Sequence, residues 1–433
     1  MLATLIISLM VICVFVASIL FFPSLIVRKH TIKVYSLIPI IGAVILIMCG
    51  RVDFFGVIGA FSENTPVNPL KILVLFLSMT TFSLVLEQTG FFAFISTRVL
   101  EKAGKNQFAV FLSLYTVISL LTVFTSNDII ILTFTPFICH FCKSARISPT
   151  PYLFMEFVAA NTWSLLLIIG NPTNIYICGA FGIDFMEYVK VMVLPTVCAG
   201  LASLAVMFLI FLKRLKKPME SCEEHGEITD KPIMVISLLH LLACVIALAL
   251  SQYIGIEMWI ISLCLALSEI VCVSICLGVR KKGLSMLGRG LSGMPFEIIP
   301  FILGMFIIVL ALEGSGITRA IQSALEPYPD VFTYGYLSFL ASNAVNNIPM
   351  SVFFSKILSA GEAISLRGIY ATVIGSNIGA FLTPIGALAG IMWSNLLRKN
   401  GVKISFRRFV KFGAVIGVPA ISAALLALFA VLG

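Results

Sequence analysis

The clearest shortage in this 433-residue chain is of charge. Only 11% of its residues are Asp, Glu, Lys or Arg, whereas 60% are hydrophobic. A soluble domain carries about 25% charged residues, and a water-soluble fold could not bury this much apolar surface. A lipid bilayer solvates such surface directly, so the composition predicts an integral membrane protein in contact with the lipid bilayer.

Motifs of enzymes and ATP-driven pumps are also missing. The sequence contains no nucleotide-binding P-loop, no nucleophile elbow and no zinc-binding helix motif, and its four histidines form no cluster. Cys139 and Cys142 form a C-x-x-C pair, but no second pair completes four metal ligands. We therefore expect no enzyme activity, no cofactor and no metal. Nucleic-acid binding is disfavoured, because the basic residues occur in short clusters between apolar runs.

The apolar residues are grouped into runs of the length that a membrane-spanning helix needs, about 20 residues. Ten such runs predict spans at roughly residues 3–27, 34–50, 69–89, 152–180, 190–212, 232–251, 254–278, 293–313, 369–397 and 412–432. Two further stretches, 106–143 and 328–358, are broken in the middle by polar residues and are too short for two spans each. The predicted fold class is an all-α polytopic membrane protein with about ten transmembrane helices plus two re-entrant hairpins.

The basic residues test this topology, because cytoplasmic loops carry an excess of Lys and Arg. With two hairpins, six basic clusters fall on one side of the membrane: 28–33, 102–105, 143–146, 213–217, 280–289 and 398–411. Placing that side in the cytoplasm predicts a multi-pass protein of the cell membrane (plasma or inner). The first hairpin then enters from inside and the second from outside. Residues 213–231 are predicted to be a cytoplasmic linker.

The two halves of the chain, residues 1–212 and 232–433, resemble one another. AANTWSLLLIIGNPTN (159–174) aligns without gaps to GSNIGAFLTPIGALAG (375–390), at an offset of 216 residues. SNDII and VNNIP correspond at the two hairpin tips, and LEQTG matches LEGSG upstream of them. Since the basic clusters orient the halves oppositely, we predict an inverted-topology repeat, which is typical of secondary transporters that bind a small ion substrate near the bilayer midplane.

Polar residues in the hairpin tips and in the two long helices 152–180 and 369–397 are the candidate binding residues. Both helices contain Pro and Gly at matching places, so each is expected to break and to leave helix ends that hold ions. Lipid cannot satisfy such backbone groups, so they must face protein or a polar cavity. The alternative is that the Asn side chains only cap turns and that the breaks are proline kinks. The predicted substrate-binding residues are Ser126, Asn127, Asn171, Thr173, Asn174, Asn346, Asn347, Ser376, Asn377 and Thr383.

Asp128 is the only acid near a hairpin tip. An ionisable side chain at membrane depth is a functional candidate, because a charge in that position is expensive. We predict that it carries the coupling ion, a proton or Na⁺, whereas its repeat mate Asn347 cannot ionise. The alternative is a carboxylate that caps the second limb of the hairpin, and both roles can coexist.

Three segments resemble the arsenite/antimonite efflux permeases (the arsenical pump membrane proteins) of the ion transporter superfamily. They are residues 294–316, 346–353 and, most specifically, GSNIGAFLTPIGALAGIMWSNLLRKNGVKIS (375–405). The resemblance implies an elevator-like transporter with a scaffold and a moving transport domain, often as a homodimer. For an arsenite pump it also implies a separate soluble ATPase subunit as a partner.

Two substrate classes stay open. Proton-coupled export of arsenite, antimonite or a related anion needs hydrogen bonds but no cationic clamp, and we expect no arginine near the site. Cation-coupled transport of a carboxylate such as citrate or a dicarboxylate would use helix N-termini to hold the anion. The superfamily also contains sodium/proton antiporters, and GNPTN (170–174) resembles its wider pattern more than that of the arsenite pumps.

Overall fold

A computed structural model describes residues 1–21, 25–27, 30–64, 68–220, 226–361 and 364–433. Within those ranges, the strands β1 (Leu25–Val27) and β2 (His30–Ile32) pair antiparallel, and all other regular structure is helical. In chain order the α-helices are α1 (Leu2–Phe21), α2 (Val34–Met48), α3 (Phe54–Ser62), α4 (Pro69–Gln88), α5 (Phe91–Ala103), α6 (Gln107–Phe124), α7 (Asn127–Ser144), α8 (Thr150–Trp163), α9 (Pro172–Phe181), α10 (Phe185–Leu215), α11 (Lys231–Ala249), α12 (Ser251–Ile254), α13 (Met258–Val279), α14 (Ser285–Ser292), α15 (Ile298–Gly314), α16 (Ile317–Leu325), α17 (Asp330–Val345), α18 (Asn347–Ser359), α19 (Leu366–Ile378), α20 (Leu388–Lys399) and α21 (Phe406–Leu432).

Seven described helices are long and apolar enough to cross a membrane: α1, α4, α6, α10, α11, α13 and α21. Six of them coincide with predicted spans, and the seventh, α6, is the first limb of the predicted hairpin at 106–143. The first helix is shorter than the predicted span 3–27, because it ends at Phe21 and residues 25–27 form β1. Two other predicted spans are the 15-residue α2 and the 17-residue α15, which bends by 73° into α16. The all-α polytopic class is confirmed.

The two long helices predicted to break are both interrupted. After α8 a short 3-10 turn (Ile168–Gly170) precedes α9, and after α19 a similar turn (Gly379–Phe381) precedes α20. Pro172 begins α9, where its missing N–H is not needed by the helix. The starts of α8 and α19 are 216 residues apart, as are the starts of α9 and α20, which is the offset of the sequence alignment.

Packing repeats between the halves in a crossed pattern. In the first half α4 packs against α13, and in the second half its counterpart α15 packs against α2. The hairpin limbs cross in the same way, since α7 packs against α20 and α18 packs against α9. The half-helices of one repeat are therefore held by the hairpin of the other. The re-entrant placement of the hairpins, the opposite orientation of the halves and the domain boundaries stay predictions.

Contacts of the linker bring several basic segments to one face of the molecule. Gln107, which begins α6, donates a hydrogen bond to the Lys217 carbonyl (2.8 Å). The carbonyl of Ala145, just after α7, accepts from the Glu220 N–H (3.2 Å). Both ends of the first hairpin therefore contact the linker. We infer that the loops around 105, 145 and 217 share one side, as the charge pattern predicted.

Asp230, at the end of the linker, caps α11 and joins it to the loop after α13. Its carboxylate accepts the Ile233 N–H (3.4 Å) and pairs with Lys282 (2.8 Å) and Arg280. Burial acts to raise the pKa of Asp230, but the hydrogen bonds from Lys282 and Arg280 outweigh burial and hold that pKa below its ordinary value. The carboxylate is therefore ionised and stabilises the loop contact at neutral pH.

Four short helices, α3, α5, α14 and α16, were absent from the sequence prediction. Each has 8 to 13 residues, and α5, α14 and α16 carry polar or charged residues on one face. Two of them follow sharp corners at matching places: Gly90 separates α4 from α5 with φ 78°, and Gly316 separates α15 from α16 with φ 76°. Only glycine adopts this left-handed conformation readily, which explains why LEQTG and LEGSG match.

Candidate functional site

Polar side chains from both broken helices meet in one buried cluster. The Asn377 Oδ1 atom at the end of α19 accepts from Asn171 Nδ2 (2.8 Å) and from Ser164 Oγ (3.1 Å). Its Nδ2 donates to Asn174 Oδ1 (2.7 Å). Ser376 Oγ donates to Thr173 Oγ1 (3.1 Å), which joins the two breaks a second time. We call these six residues the central cluster.

The central cluster is dry and uncharged. All six side chains are at most 1% exposed, and each makes hydrogen bonds within the protein. Burying polar groups without partners is unfavourable, so mutual hydrogen bonding is what allows the cluster to sit between the half-helices. Asn171 also caps α9 by accepting the Thr173 N–H (3.1 Å). The capping role therefore exists, but it accounts for only one of this side chain's two polar ends.

The first hairpin tip is tied to the end of α8. Ser126 caps α7 by accepting the Ile129 N–H (3.4 Å). The Asn127 Nδ2 atom donates to Asn161 Oδ1 (3.0 Å), while its Oδ1 accepts the N–H of Asp128 (2.9 Å). Asn161 is the repeat mate of Asn377, so corresponding positions in the two halves are both bound by asparagine amides.

The second hairpin tip is tied to the break between α19 and α20. Asn346 has φ 76° and its Nδ2 donates to the Ile385 carbonyl (2.9 Å), while the Asn347 N–H bonds the Gly386 carbonyl (2.9 Å). A left-handed asparagine is uncommon, and this one is fixed by side-chain and backbone bonds on both sides. The Asn347 Oδ1 atom is buried and has no partner among the described residues. Thr383 donates to Asn343 Oδ1 (2.8 Å) nearby.

The structure thus brings five of the ten predicted binding residues into the central cluster: Asn171, Thr173, Asn174, Ser376 and Asn377. The other five lie at the two tips and at the second break, one step away on either side. Ser164, Asn161 and Asn343 were missed, although the sequence alignment already paired Asn161 with Asn377. Whether all ten bind one substrate stays a prediction.

Asp128 lines a cavity of about 500 Å³ that reaches the first tip. Four other charged side chains line the same cavity: Lys33, Glu297, Arg398 and Lys399. Lys33 and Glu297 form an ion pair across the starts of α2 and α15. The three basic and two acidic groups leave one positive charge in excess. The expectation that no arginine lies near the site is therefore wrong. Arg398 follows the apolar part of α20, and only the fold carries it next to the tip.

A second cavity, of about 470 Å³, is lined by another ion pair, Lys71 with Glu257. Glu257 precedes α13 and Lys71 lies in the first turn of α4, so this pair corresponds to Lys33 and Glu297 with the charges exchanged. The hydrogen bond from Lys71 holds the pKa of Glu257 below its usual range. Each cavity therefore has one ion pair that joins two helices of the crossed packing, and the sequence analysis identified neither pair.

Metal ligation has no support in the described part of the chain, where no three His, Cys, Asp or Glu side chains come together in a way that could hold an ion.

Spanning helices, crossed repeats and a buried polar cluster between broken helices define a multi-pass membrane transporter rather than an enzyme. The chain belongs to the CitMHS family, described as citrate transporter, whose sequence profile matches residues 3–367. It is accordingly an integral protein of the cell (plasma or inner) membrane and a secondary transporter of this family.

Sequence relatives carry a different name. The arsenical pump membrane protein of Escherichia coli (strain K12) is 28% identical over 375 residues, 82% of this chain and 84% of the relative. That of Yersinia enterocolitica is 27% identical over 376 residues with the same coverage. Among solved structures, the crystal structure of the Alcanivorax borkumensis YdaH transporter is similar in fold. Its TM-score is 0.59 at 13% identity, and the match covers 99% of this chain and 97% of that one.

Proposed function

We propose that this transporter exports arsenite or antimonite in exchange for protons. The observation that carries the proposal is the central cluster, whose six side chains are all neutral hydrogen-bonding groups. Trivalent arsenic and antimony exist at neutral pH as small, mostly uncharged hydroxides, which need donors and acceptors but no counter-charge. Asparagine amides and Ser or Thr hydroxyls supply both. The names of the sequence relatives support this substrate class.

Alternating access is proposed to occur as an elevator-like movement. The candidate moving unit contains α7, α8 and α9 with α18, α19 and α20, because these elements hold the tips and breaks and pack across the repeats. The candidate scaffold contains α2, α4, α13 and α15, which pack against one another in crossed pairs. Each of the two cavities is lined by both units, which supports movement of one against the other. A homodimer and a separate soluble ATPase subunit stay predictions of the resemblance.

Asp128 is proposed to carry the coupling proton. It is half-buried at the first tip and lines the cavity that contains the Lys33–Glu297 ion pair. Neutralising a carboxylate there changes the charge balance of the cavity, so proton binding can favour one arrangement of the moving unit. Na⁺ would be the alternative coupling ion at the same carboxylate.

Growth and vesicle transport test the substrate. In a host that lacks its own metalloid efflux, the wild-type chain should restore growth on arsenite, and Asn377→Ala should not. Thr372→Ala is the matched control, because Thr372 is equally buried on α19 but bonds only its own helix, at Gly368. Everted vesicles should accumulate arsenite when a pH gradient is imposed. Accumulation of citrate but not arsenite would reject the proposal.

The coupling role is tested in proteoliposomes. Asp128→Asn can still cap α7 and should fold, exchange substrate between the two sides, and fail to concentrate it against a gradient. Substituting a sodium gradient for the pH gradient identifies the ion. Full gradient-driven accumulation by Asp128→Asn would move the coupling role elsewhere.

Anion transport is the second candidate, and the cavity at the first tip favours it. Lys33, Arg398 and Lys399 line that cavity beside the tip. A carboxylate or oxyanion would meet these charges before it reached the central cluster, in keeping with the printed description of the family. Arg398→Gln should raise the concentration needed for half-maximal citrate transport severalfold if this candidate is correct. It should leave arsenite transport nearly unchanged if the first one is.

A further inference from the structure

Glu156, in the middle of the buried helix α8, is a carboxyl group that the central cluster does not use. It is 0% exposed, and its Oε1 atom accepts a hydrogen bond from Thr135 Oγ1 of α7 (2.7 Å). Its Oε2 atom has no partner among the described residues. A buried carboxylate is stable only if its oxygens are satisfied or if it binds a proton. One oxygen of this group is therefore available for a proton or a donor.

A donor lies close by on α20. Trp393 is 1% exposed, and its indole N–H has no partner in the described part of the chain. The indole N–H is directed to the Glu156 carboxyl, yet the two groups do not reach hydrogen-bond geometry. The ring itself is packed against Phe154 and Phe157 of α8, with centroids 5.7 and 5.2 Å away. A small displacement of α20 against α8 would close or open this contact.

The second repeat has no acid at the corresponding position. At the offset of 216 residues Glu156 corresponds to Thr372, and at the 220-residue offset between the starts of α7 and α18 Thr135 corresponds to Ser355. Both hydroxyls are satisfied by their own helices, at Gly368 and Ser351. Packing of a hairpin limb on the broken helix therefore does not require a carboxyl group, and a purely structural role explains Glu156 poorly.

Water has a route toward this group. A cavity of about 370 Å³ is lined by Trp393, Arg398 and Lys403, at the face where the basic loops lie. Trp393 thus stands between this cavity and α8. Among the charged or titratable groups on the elements around α8, only the Cys139 thiol of α7 interacts electrostatically with Glu156 in the described residues. The basic residues of those elements lie at helix ends: Arg214, Arg367, Arg398 and Arg408.

We propose that Glu156 is a second proton-binding site, and that the distance from Trp393 sets its affinity for the proton. When the indole N–H reaches Oε2, it stabilises the carboxylate and the proton leaves through the cavity beside Trp393. When α20 is displaced, as in this structure, the carboxyl takes up a proton and becomes neutral. By linkage, protonation then favours the displaced position of α20. The inference rests on the proton-coupled transport proposed above and adds a site distinct from Asp128.

Infrared difference spectroscopy of the full-length protein in liposomes, titrated with acid and base without any substrate, tests proton binding directly. The wild type should show a protonated-carboxyl band that titrates with pH and is absent in Glu156→Gln. Trp393→Phe keeps an aromatic ring but removes the N–H, so the band should persist to higher pH. Trp163→Phe is the matched control, because the Trp163 N–H already bonds Tyr115 (3.1 Å), and it should leave the band unchanged.

Transport stoichiometry supplies a second readout. With the membrane potential clamped at zero, each coupled proton multiplies the limiting accumulation of a neutral substrate by about tenfold per pH unit. Two sites therefore allow about 100-fold across one pH unit, and Glu156→Gln should reduce this to about tenfold. Asp128→Asn should retain the Glu156 band while losing coupling.

Either of two results overturns the inference: a wild-type carboxyl spectrum that Glu156→Gln does not alter, or a Trp393→Phe titration identical to that of the Trp163→Phe control. If the band behaves as expected but Asp128→Asn transports normally, the second site stands and the proposed role of Asp128 fails.

Discussion

Asn377→Ala is the sharpest perturbation of the central cluster. The truncation removes the acceptor for Asn171 Nδ2 and the donor to Asn174 Oδ1, at 2.8 and 2.7 Å, in a region at most 1% exposed. Asn171 Nδ2 has no other described partner, whereas Ser164 Oγ keeps its bond to the Asn161 carbonyl. Two buried polar groups therefore lose their main partner, at about 1–3 kcal/mol each, or about 2–6 kcal/mol in all.

That range is far above the average for membrane proteins, where an interhelical hydrogen bond contributes only about 0.6 kcal/mol. The difference arises because most such bonds can be replaced by neighbouring groups, whereas the dry, fully paired central cluster offers few replacements. Thermal unfolding of the detergent-solubilised protein, read by size-exclusion chromatography after heating, measures the effect. We expect a lower midpoint for Asn377→Ala, a small change for Thr372→Ala, and loss of transport only in the former. An Asn377→Ala midpoint within the range of the control would refute the reasoning.

Three further predictions concern the supporting structure. Glu297→Lys should impair transport by placing two cations together, and adding Lys33→Glu should restore much of it; failure of the pair to rescue would show that the ion pair is not what matters. Asp230→Asn should lower the midpoint at pH 7, and this deficit should vanish as the pH falls to about 4 and below, because the depressed pKa of Asp230 contributes stability only while the carboxylate is ionised. Gly413→Ala should destabilise the second break, because an added Cβ would lie 1.8 Å from a backbone oxygen. Gly288→Ala, with open space around it, serves as its control in the same unfolding measurement.

The sequence predicted the long apolar helices well because their signal is local. α10, α11, α13 and α21 are continuous runs of 19 to 31 residues, bounded by charged linkers or loops. The short helices α5, α14 and α16 were missed because they are too short for a spanning pattern and partly polar. Likewise, the end of α1 could not be placed, because an apolar run continues past Phe21 with no change in composition.

The site was predicted in part for a similar reason. Gly, Pro and Asn mark tips and breaks wherever they occur, so the residues of the central cluster could be named from the sequence. Their partners could not, because the bond from Asn127 to Asn161 depends on how α7 lies on α8. Lys33, Glu297 and Arg398 were missed because span ends normally carry charges, and only the crossed packing of α2 and α15 brings these three to one cavity.

The crossed packing of the half-helices also has a consequence for biogenesis. α9 has 10 residues and α20 has 12, whereas a lone transmembrane segment needs about 20. α9 packs against α18, which begins 175 residues after α9 does. At about 5–20 residues per second, the ribosome needs roughly 10 to 35 s to supply that partner. During this interval the polar break of the first half has no completed site to enter, so the insertion machinery must shield it until the last helices emerge. A chain released after the linker should accordingly be degraded, and two half-chains made together should rescue each other.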